Sequence, residues 1–557
     1  MTSVTWGRRA GAAVIVVAVA MATVAVAGPP TRAERPRFYH DDPLVREPET
    51  RDASKVEPWD IDLAVDLAIN LFGRPGDPAR DVRAGNVNTI DEVPDSSWFT
   101  NRILARPVSI DEAVRGPVTG GGPAPGAWTV VHAKEAGFSP GFTMEDSAGD
   151  TWFVSFDPRG HAEAATGAVM VANKIFWTLG YYQVEQHLIT VRPERLAISP
   201  KATFRPPSGK RRGMRRADVE AVFAKSHRSA DGTFRAVAGK AIPGKVLGGF
   251  RYHGTRPDDP NDVVPHEHRR ELRALKVFGA WTNLVDMKAG NTLDTLVQVD
   301  GRGVVRHYLQ DVGSTFGSSA IGARDPDEGY DYLYQGRPLM KRALFFGLPL
   351  PLWATVPYPA EADIGRFEGT AFDPTRWKPR APTAAFLRAR PDDTFWAARR
   401  VAAFSDAMIR AIAAAGAFSN PRTAPALAEV LIARRDRIAR AYLPALNPIV
   451  DVALSAGGTL TFANAAVDAG VAPKPASYAV EWARFDNASG ESTPLGPPAI
   501  VTTTRAEAPG RLPAEAGGYL RVRIAATEGP APWATPVDAY FRRTADAWTL
   551  VGLERLP

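Results

Sequence analysis

Apolar residues recur at helical spacing over residues 59–72 (WDIDLAVDLAINLF), and the pattern stops at a Gly-Arg-Pro-Gly breaker. From Trp128 the period changes to that of strands. Residues 128–133, 142–145 and 151–156 read as three strands, joined by turns at 137–141 and 146–150. Residues 162–180 are Ala-rich and place Val169, Ala172, Ile175, Phe176 and Leu179 on one helical face. Strand-like runs follow at 188–191 and 233–242. Residues 265–281 predict a helix with Pro in its first turn and Leu272, Leu275, Val277 and Phe278 as its buried stripe. A short strand, an Asp300-Gly301 turn and a second strand over 304–309 come next. Residues 393–415 and 423–446 are helical in period, with breakers at Gly416 and Asn420-Pro421 between them. Beyond 448 short strand-like runs alternate with Gly, Pro and Asn turns, at 459–462, 478–485, 500–504, 519–524, 537–541 and 548–553. That rhythm predicts an antiparallel β-sandwich. The fold class is α+β: a β-rich unit, a helical unit, then a second β-rich unit.

Composition adds bounds. The chain has 557 residues, 45% hydrophobic and 23% charged, which suits a globular protein of several domains. A net charge of +6 is mild at this size, and no zinc-finger or RNP-like pattern accompanies it, so no nucleic-acid partner is expected. With no cysteine, disulfide frameworks, thiolate metal sites and cysteine nucleophiles are excluded. Arg8-Arg9 precede an apolar run from Ala10 to Ala27 that ends Ala25-Val26-Ala27, the form of a secretory signal peptide over 1–27. The alternative is an uncleaved anchor that keeps the protein on a membrane. Either way the protein is expected to be exported: periplasmic, cell-surface or secreted. Residues 28–125 read as an N-terminal extension and linker with no evident chemistry. Residues 201–216 carry seven basic residues and no acidic one, and read as an exposed, solvated loop.

The chemistry concentrates further on. Asp286 is followed by Lys288 and Asn291; after the strand–turn–strand comes Asp311 in Gln310-Asp-Val-Gly313. Two carboxylates, a lysine and an amide are thus gathered around one predicted hairpin. A plainer reading lets Asp286 and Asn291 cap the turn after a helix. Other motifs fail on spacing. Gly120–Gly122 lacks the Lys-Ser/Thr of a phosphate loop, the acidic stretch 256–262 lacks an EF-hand's pattern, and His266 and His268 stand too close for a zinc-protease helix.

Asp286-Met-Lys-Ala-Gly-Asn291 resembles the protein-kinase catalytic loop D-x-K-x-x-N, and Asp311-Val-Gly resembles DFG. The likeness is to atypical kinase-like folds: bacterial HipA-type kinases, spore-coat CotH kinases and secretory-pathway kinases. Leu284-Val285 stand where His-Arg usually precedes the loop Asp. The resemblance implies a bilobal core, with an N-lobe over 126–245 and a C-lobe over 246–447, followed by the β-sandwich over 448–557. It implies Asp286 as base or orienter, Lys288 neutralising the transferring phosphoryl group, and Asn291 and Asp311 holding Mg²⁺ against ATP. Gly137 and Gly141 would cover the phosphates, although a plain hairpin accounts for them equally. The third strand should carry the phosphate lysine, but Ser155 stands there; Lys134 is the nearest substitute. Glu163 is either the partner of that lysine or a Glu placed by the helix macrodipole. Residues 243–250 would form the hinge between lobes and 313–322 an activation segment. The expectation is an ATP- and Mg²⁺-dependent transferase acting on an unknown protein or envelope acceptor. The rivals are a catalytically impaired pseudokinase and an envelope-binding or scaffold protein.

Overall fold

The computed structural model describes residues 35–555, except 135–138, 207–208, 335–339, 341–343, 345–349, 351, 359–362, 511 and 514. The signal-peptide segment and Gly137 lie outside the described residues. Among the described residues no helix is long and apolar enough to cross a membrane.

The first β-rich unit is one seven-stranded sheet in the order β4-β7-β3-β2-β1-β5-β6. Its strands are β1 (Trp128–Ala133), β2 (Gly141–Glu145), β3 (Thr151–Phe156), β4 (Gln186–Val191), β5 (Leu196–Phe204), β6 (Arg212–Gly213) and β7 (Phe234–Lys240). All neighbours are antiparallel except β1 and β5. Alternation along β3 sends Trp152, Val154 and Phe156 inward, where they meet Phe142, Phe223 and Phe234. The basic stretch 201–216 is not one loop. It contains the end of β5 and all of β6, and leads into a helix, Arg216–Lys225, whose Val219 and Phe223 enter this core. The bases occupy the outer positions, so the charge run concealed an element anchored by two apolar residues.

Helix α1 (Leu63–Ala68) belongs to the N-terminal extension, α2 (Ile110–Arg115) follows it, and α3 (Ala164–Leu179) packs beside the sheet. Of the face expected from the sequence, Ala172, Ile175, Phe176 and Leu179 are buried but Val169 is only partly so, and burial extends round the helix to Ala168, Met170 and Val171. Gly180 ends α3 at φ +128°, and a Cβ there would collide with Phe99. Residues 243–250 are not an open connector. Strand β8 (Lys245–Gly248) within them pairs with β9 (Leu293–Val299), which pairs with β10 (Arg302–Tyr308) through the Asp300-Gly301 turn. Both turn residues have positive φ, 49° and 76°, which matches strand twist.

With the preceding Arg216–Lys225 helix as α4, the helix entering the candidate loop is α5 (Arg270–Thr282). It starts later than its apolar period suggested, because His266–His268 forms a 3₁₀ turn first. Arg269, Arg270 and Arg273 are fully enclosed. Arg270 donates to Asp91 at 2.8 Å, Asp392 at 2.8 Å and Asp393 at 3.0 Å; Arg269 pairs with Glu47 at 3.0 Å. These bonds tie the extension to α5, so residues from Phe38 onward are part of the folded body, not a linker. Helices Pro391–Ala402, Asp406–Ala414 and Thr423–Tyr442 complete this region. The break near Ala403 splits the expected 393–415 helix, and the Ser405 hydroxyl caps the second piece by accepting from the Met408 N–H.

Past 448 lie a three-stranded sheet, β13 (Ile449–Leu454), β14 (Thr459–Asn464) and β18 (Arg505–Glu507), and a second sheet. The latter holds β15 (Tyr478–Phe485), β16 (Ser492–Pro494), β17 (Ala499–Val501), β19 (Tyr519–Ala526), β20 (Val537–Arg543) and β21 (Trp548–Arg555). Their inward residues join the same apolar core as the helices, with Ile449, Trp482 and Val522 among them.

Candidate active site

Helix α5 stops at Asn283, which is in the left-handed region at φ 54°, and the chain turns back on itself toward Asp286. The Asn291 side-chain N–H₂ donates to the Asp286 carbonyl at 2.6 Å, which closes the loop and sets the two side chains together. That bond uses the amide nitrogen and leaves the amide oxygen as an acceptor. Asp286 itself accepts from Lys288 Nζ at 2.8 Å. Burial opposes ionisation of Asp286, but Lys288, Arg324 and Asn291 outweigh it, so its pKa lies below the usual carboxylate value.

The hairpin β9–β10 returns the chain to the same place. The Asp311 backbone N–H donates to the Asn291 carbonyl at 3.0 Å, so the two residues are neighbours across the loops. The Asp311 Oδ1 accepts from the Gly313 N–H at 3.0 Å, and the residue stays open to solvent. A carboxylate and an amide oxygen are hard donors that suit Mg²⁺, which keeps water and phosphate oxygens as its remaining ligands. Among the described residues no cluster of three or more His, Cys, Asp or Glu forms a dedicated metal cage.

Lys134 approaches from the other side. Its Nζ lies 3.1 Å from Ser139 Oγ and 3.3 Å from Ser155 Oγ. Ser155 on β3 thus lies within hydrogen-bond reach of a lysine that follows β1. Lys134 is exposed, yet surrounding protein desolvates its ammonium and lowers its pKa, while the Asp311 charge opposes that shift. Gly141 sits below: a Cβ there would strike the Val154 carbonyl and lie 3.3 Å from Lys134 Cδ.

Glu163 does not pair with Lys134. It precedes α3 with φ 63° and forms an ion pair with Arg235 at 3.4 Å, and its other oxygen accepts from the Ser419 N–H at 2.7 Å and hydroxyl at 3.0 Å. The helix start is capped instead by Asp157, whose two oxygens accept from the Thr166 N–H and hydroxyl, both at 2.8 Å. With Asp157 as the cap, Glu163 falls outside α3 and joins it to the segment after Gly416. The sequence reading also missed Arg324, which donates to Ser314 Oγ at 2.6 Å and contributes to the field at Asp286. No motif spacing marks Arg324; only the turn of β11 (Ser318–Ser319) against β12 (Gly322–Ala323) brings it back.

No family model matches the sequence, and no curated protein is significantly similar to it. Among solved structures, the crystal structure of the Golgi casein kinase with Mn/ADP bound aligns over 71% of this chain and 94% of its own, at 10% identity and a TM-score of 0.30. A second crystal structure of the Golgi casein kinase aligns over the same shares, at 10% identity and a TM-score of 0.29.

Proposed function

We propose that this is an exported kinase-like protein that binds Mg–ATP between the β1–β3 strands and the Asp286 and Asp311 loops, and transfers the terminal phosphoryl group to a hydroxyl acceptor. The observation that carries the reading is the junction of Asn291, Asp311 and Lys134. The Asp311 main chain is hydrogen-bonded to that of Asn291, and Lys134 is near enough to Asp311 to feel its charge. Within this reading residues 1–27 direct export, 126–245 and 246–447 form the two lobes, and 448–557 form a β-sandwich appended to them.

Asn291 and Asp311 would hold Mg²⁺, which supplies charge neutralisation and alignment of the phosphates when bound. Lys134 binds phosphate oxygens as a point charge, a role that does not depend on which strand delivers it. Asp286, ionised and oriented by Asn291, accepts a hydrogen bond from the acceptor hydroxyl and takes its proton as the oxygen bonds to the γ-phosphorus. The bond from that phosphorus to the β–γ bridging oxygen breaks, and ADP leaves. Lys288 lies beside Asp286 and offsets charge on the phosphoryl group in flight. Positioning and electrostatics carry such a reaction.

The test is calorimetry of Mg²⁺-dependent ATP binding to the exported protein, which Asp311→Ala should abolish. Wild-type protein that gives no heat with Mg–ATP would end the proposal. Ser155 favours a second reading, a pseudokinase that binds nucleotide without turnover; binding with no phosphate transfer to any acceptor or to water selects it.

A further inference from the structure

Residues 96–100 bridge the end of α3 and the end of β10. The Thr100 N–H donates to the Gly180 carbonyl at 2.9 Å, at the end of α3. On the other side the His307 N–H donates to the Ser97 carbonyl at 3.1 Å, four residues before Asp311. The Tyr182 hydroxyl donates to the Ser96 carbonyl at 2.9 Å and accepts from Thr100 at 3.1 Å, while the Leu309 N–H donates to the Tyr182 carbonyl at 3.2 Å. Trp98 is the centre of this strap. Its ring stacks on His307 with centroids 3.5 Å apart and planes 14° apart, meets His266 edge-on at 4.7 Å, and carries the Arg269 guanidinium at 4.7 Å. His307 is fixed in turn by Asp294 at 2.7 Å.

We infer that this strap, through Trp98, positions Asp311 by locking the end of β10 to the end of α3. The inference rests on the proposed nucleotide site for its functional meaning and on the contacts above for its mechanics. Asp311 is held by one backbone bond to Asn291, and the chain leading into it is held by the strap. Loss of the Trp98 ring takes away the packing on one face of His307, leaving Asp294 as its side-chain anchor, and loosens the strap's hold on residues 309–313. A stretch of the extension without chemistry of its own then sets the geometry of the cation ligand. Trp98 is a positioning residue: it touches neither phosphate nor acceptor.

The experiment compares wild type with Trp98→Leu, Trp98→Phe and the milder Tyr182→Phe, the last keeping all apolar packing. Amide exchange is followed by mass spectrometry and Mg–ATP affinity by calorimetry, well below each variant's melting temperature. Trp98→Leu should speed exchange over 309–313 at least tenfold, with β19 and β20 unchanged, and weaken nucleotide at least tenfold. Trp98→Phe, which keeps a stacking ring, should restore both to within about threefold. Tyr182→Phe should move both in the same direction by a few fold. A Trp98→Leu protein that melts earlier but exchanges and binds as wild type overturns the inference, as does uniform acceleration everywhere. If Trp98→Leu does not fold, unchanged exchange in Tyr182→Phe overturns it. If wild type binds no nucleotide, the exchange arm still decides the strap, and only the functional proposal falls.

Discussion

Moving the lysine between strands is the sharpest test of the cleft. Lys134 Nζ and Ser155 Oγ are 3.3 Å apart, so two different strands aim at one point. Lys134→Ser removes the only cation placed there by β1 or β3. A hydrogen bond to a charged group contributes about 1.5–3 kcal/mol. Because Lys134 is exposed before ligand arrives, screening favours the lower half of that range, about 1.5–2 kcal/mol. That corresponds to a Kd for Mg–ATP raised roughly ten- to thirtyfold. Ser155 pairs with Gly141 in the β2–β3 register, so a lysine at 155 extends from a strand already fixed. Lys134→Ser/Ser155→Lys should therefore recover more than half of the lost binding free energy. Isothermal titration with Mg–ATP, with circular dichroism to establish folding, reads all three proteins. The reasoning fails if Lys134→Ser binds as wild type, or if the folded double variant binds no better than the single one.

Asp286→Asn should leave nucleotide affinity unchanged and cut phosphoryl transfer by about 10²- to 10⁴-fold, the usual share of a general base; a parallel loss of affinity would assign Asp286 to binding instead. Arg270→Met removes the cation shared by Asp91, Asp392 and Asp393, which keep Arg555, Arg390 and Arg273 respectively, so the loss in urea unfolding should lie at the low end for a broken buried pair, about 3 kcal/mol; a loss under 1 kcal/mol would show the cluster to be dispensable. Burial opposes ionisation of Asp91 and Glu92, but Arg270 and Arg555 beside the first, and Arg400 and Arg399 beside the second, hold both pKa values below their ordinary positions. The stability they contribute is complete above their unfolded values near pH 4 and is lost as pH falls through the lower folded values. The urea midpoint should be level above about pH 5 and decline below about pH 4, less steeply in Glu92→Gln; equal acid slopes in the two proteins would contradict this.

Strong periodicity was legible. Strands β1 and β3, helix α3 and the β9–β10 turn stand where alternation and turn chemistry put them, because each buries one face of a short local segment. Local pattern failed where a distant partner decides the outcome. The basic run 201–216 hid β6 because a partner strand and two apolar residues beyond the run set its structure. Glu163 read as a helix residue because nothing nearby reveals that Asp157 caps the helix first. The spacing of Asp286, Asn291 and Asp311 did foreshadow neighbours, since a hairpin returns its ends to one place. Lys134 was chosen only because Ser155 was not a lysine. Arg324 and the strap at 96–100 had no local signal, being defined by contacts across long stretches of chain.

The enclosed arginines of α5 carry an implication for biogenesis. The Asp91 carboxylate is 179 residues from Arg270, and Arg270 is 123 residues from Asp393. As the polymer emerges from its N-terminal end, Asp91 can meet Arg83 at once but must wait for 179 further residues before Arg270 follows. Contacts of such range are slow to form. A chain interrupted before residue 393 would leave Arg270 and Arg273 without the carboxylate they share, at the centre of the seam that fastens the early segments.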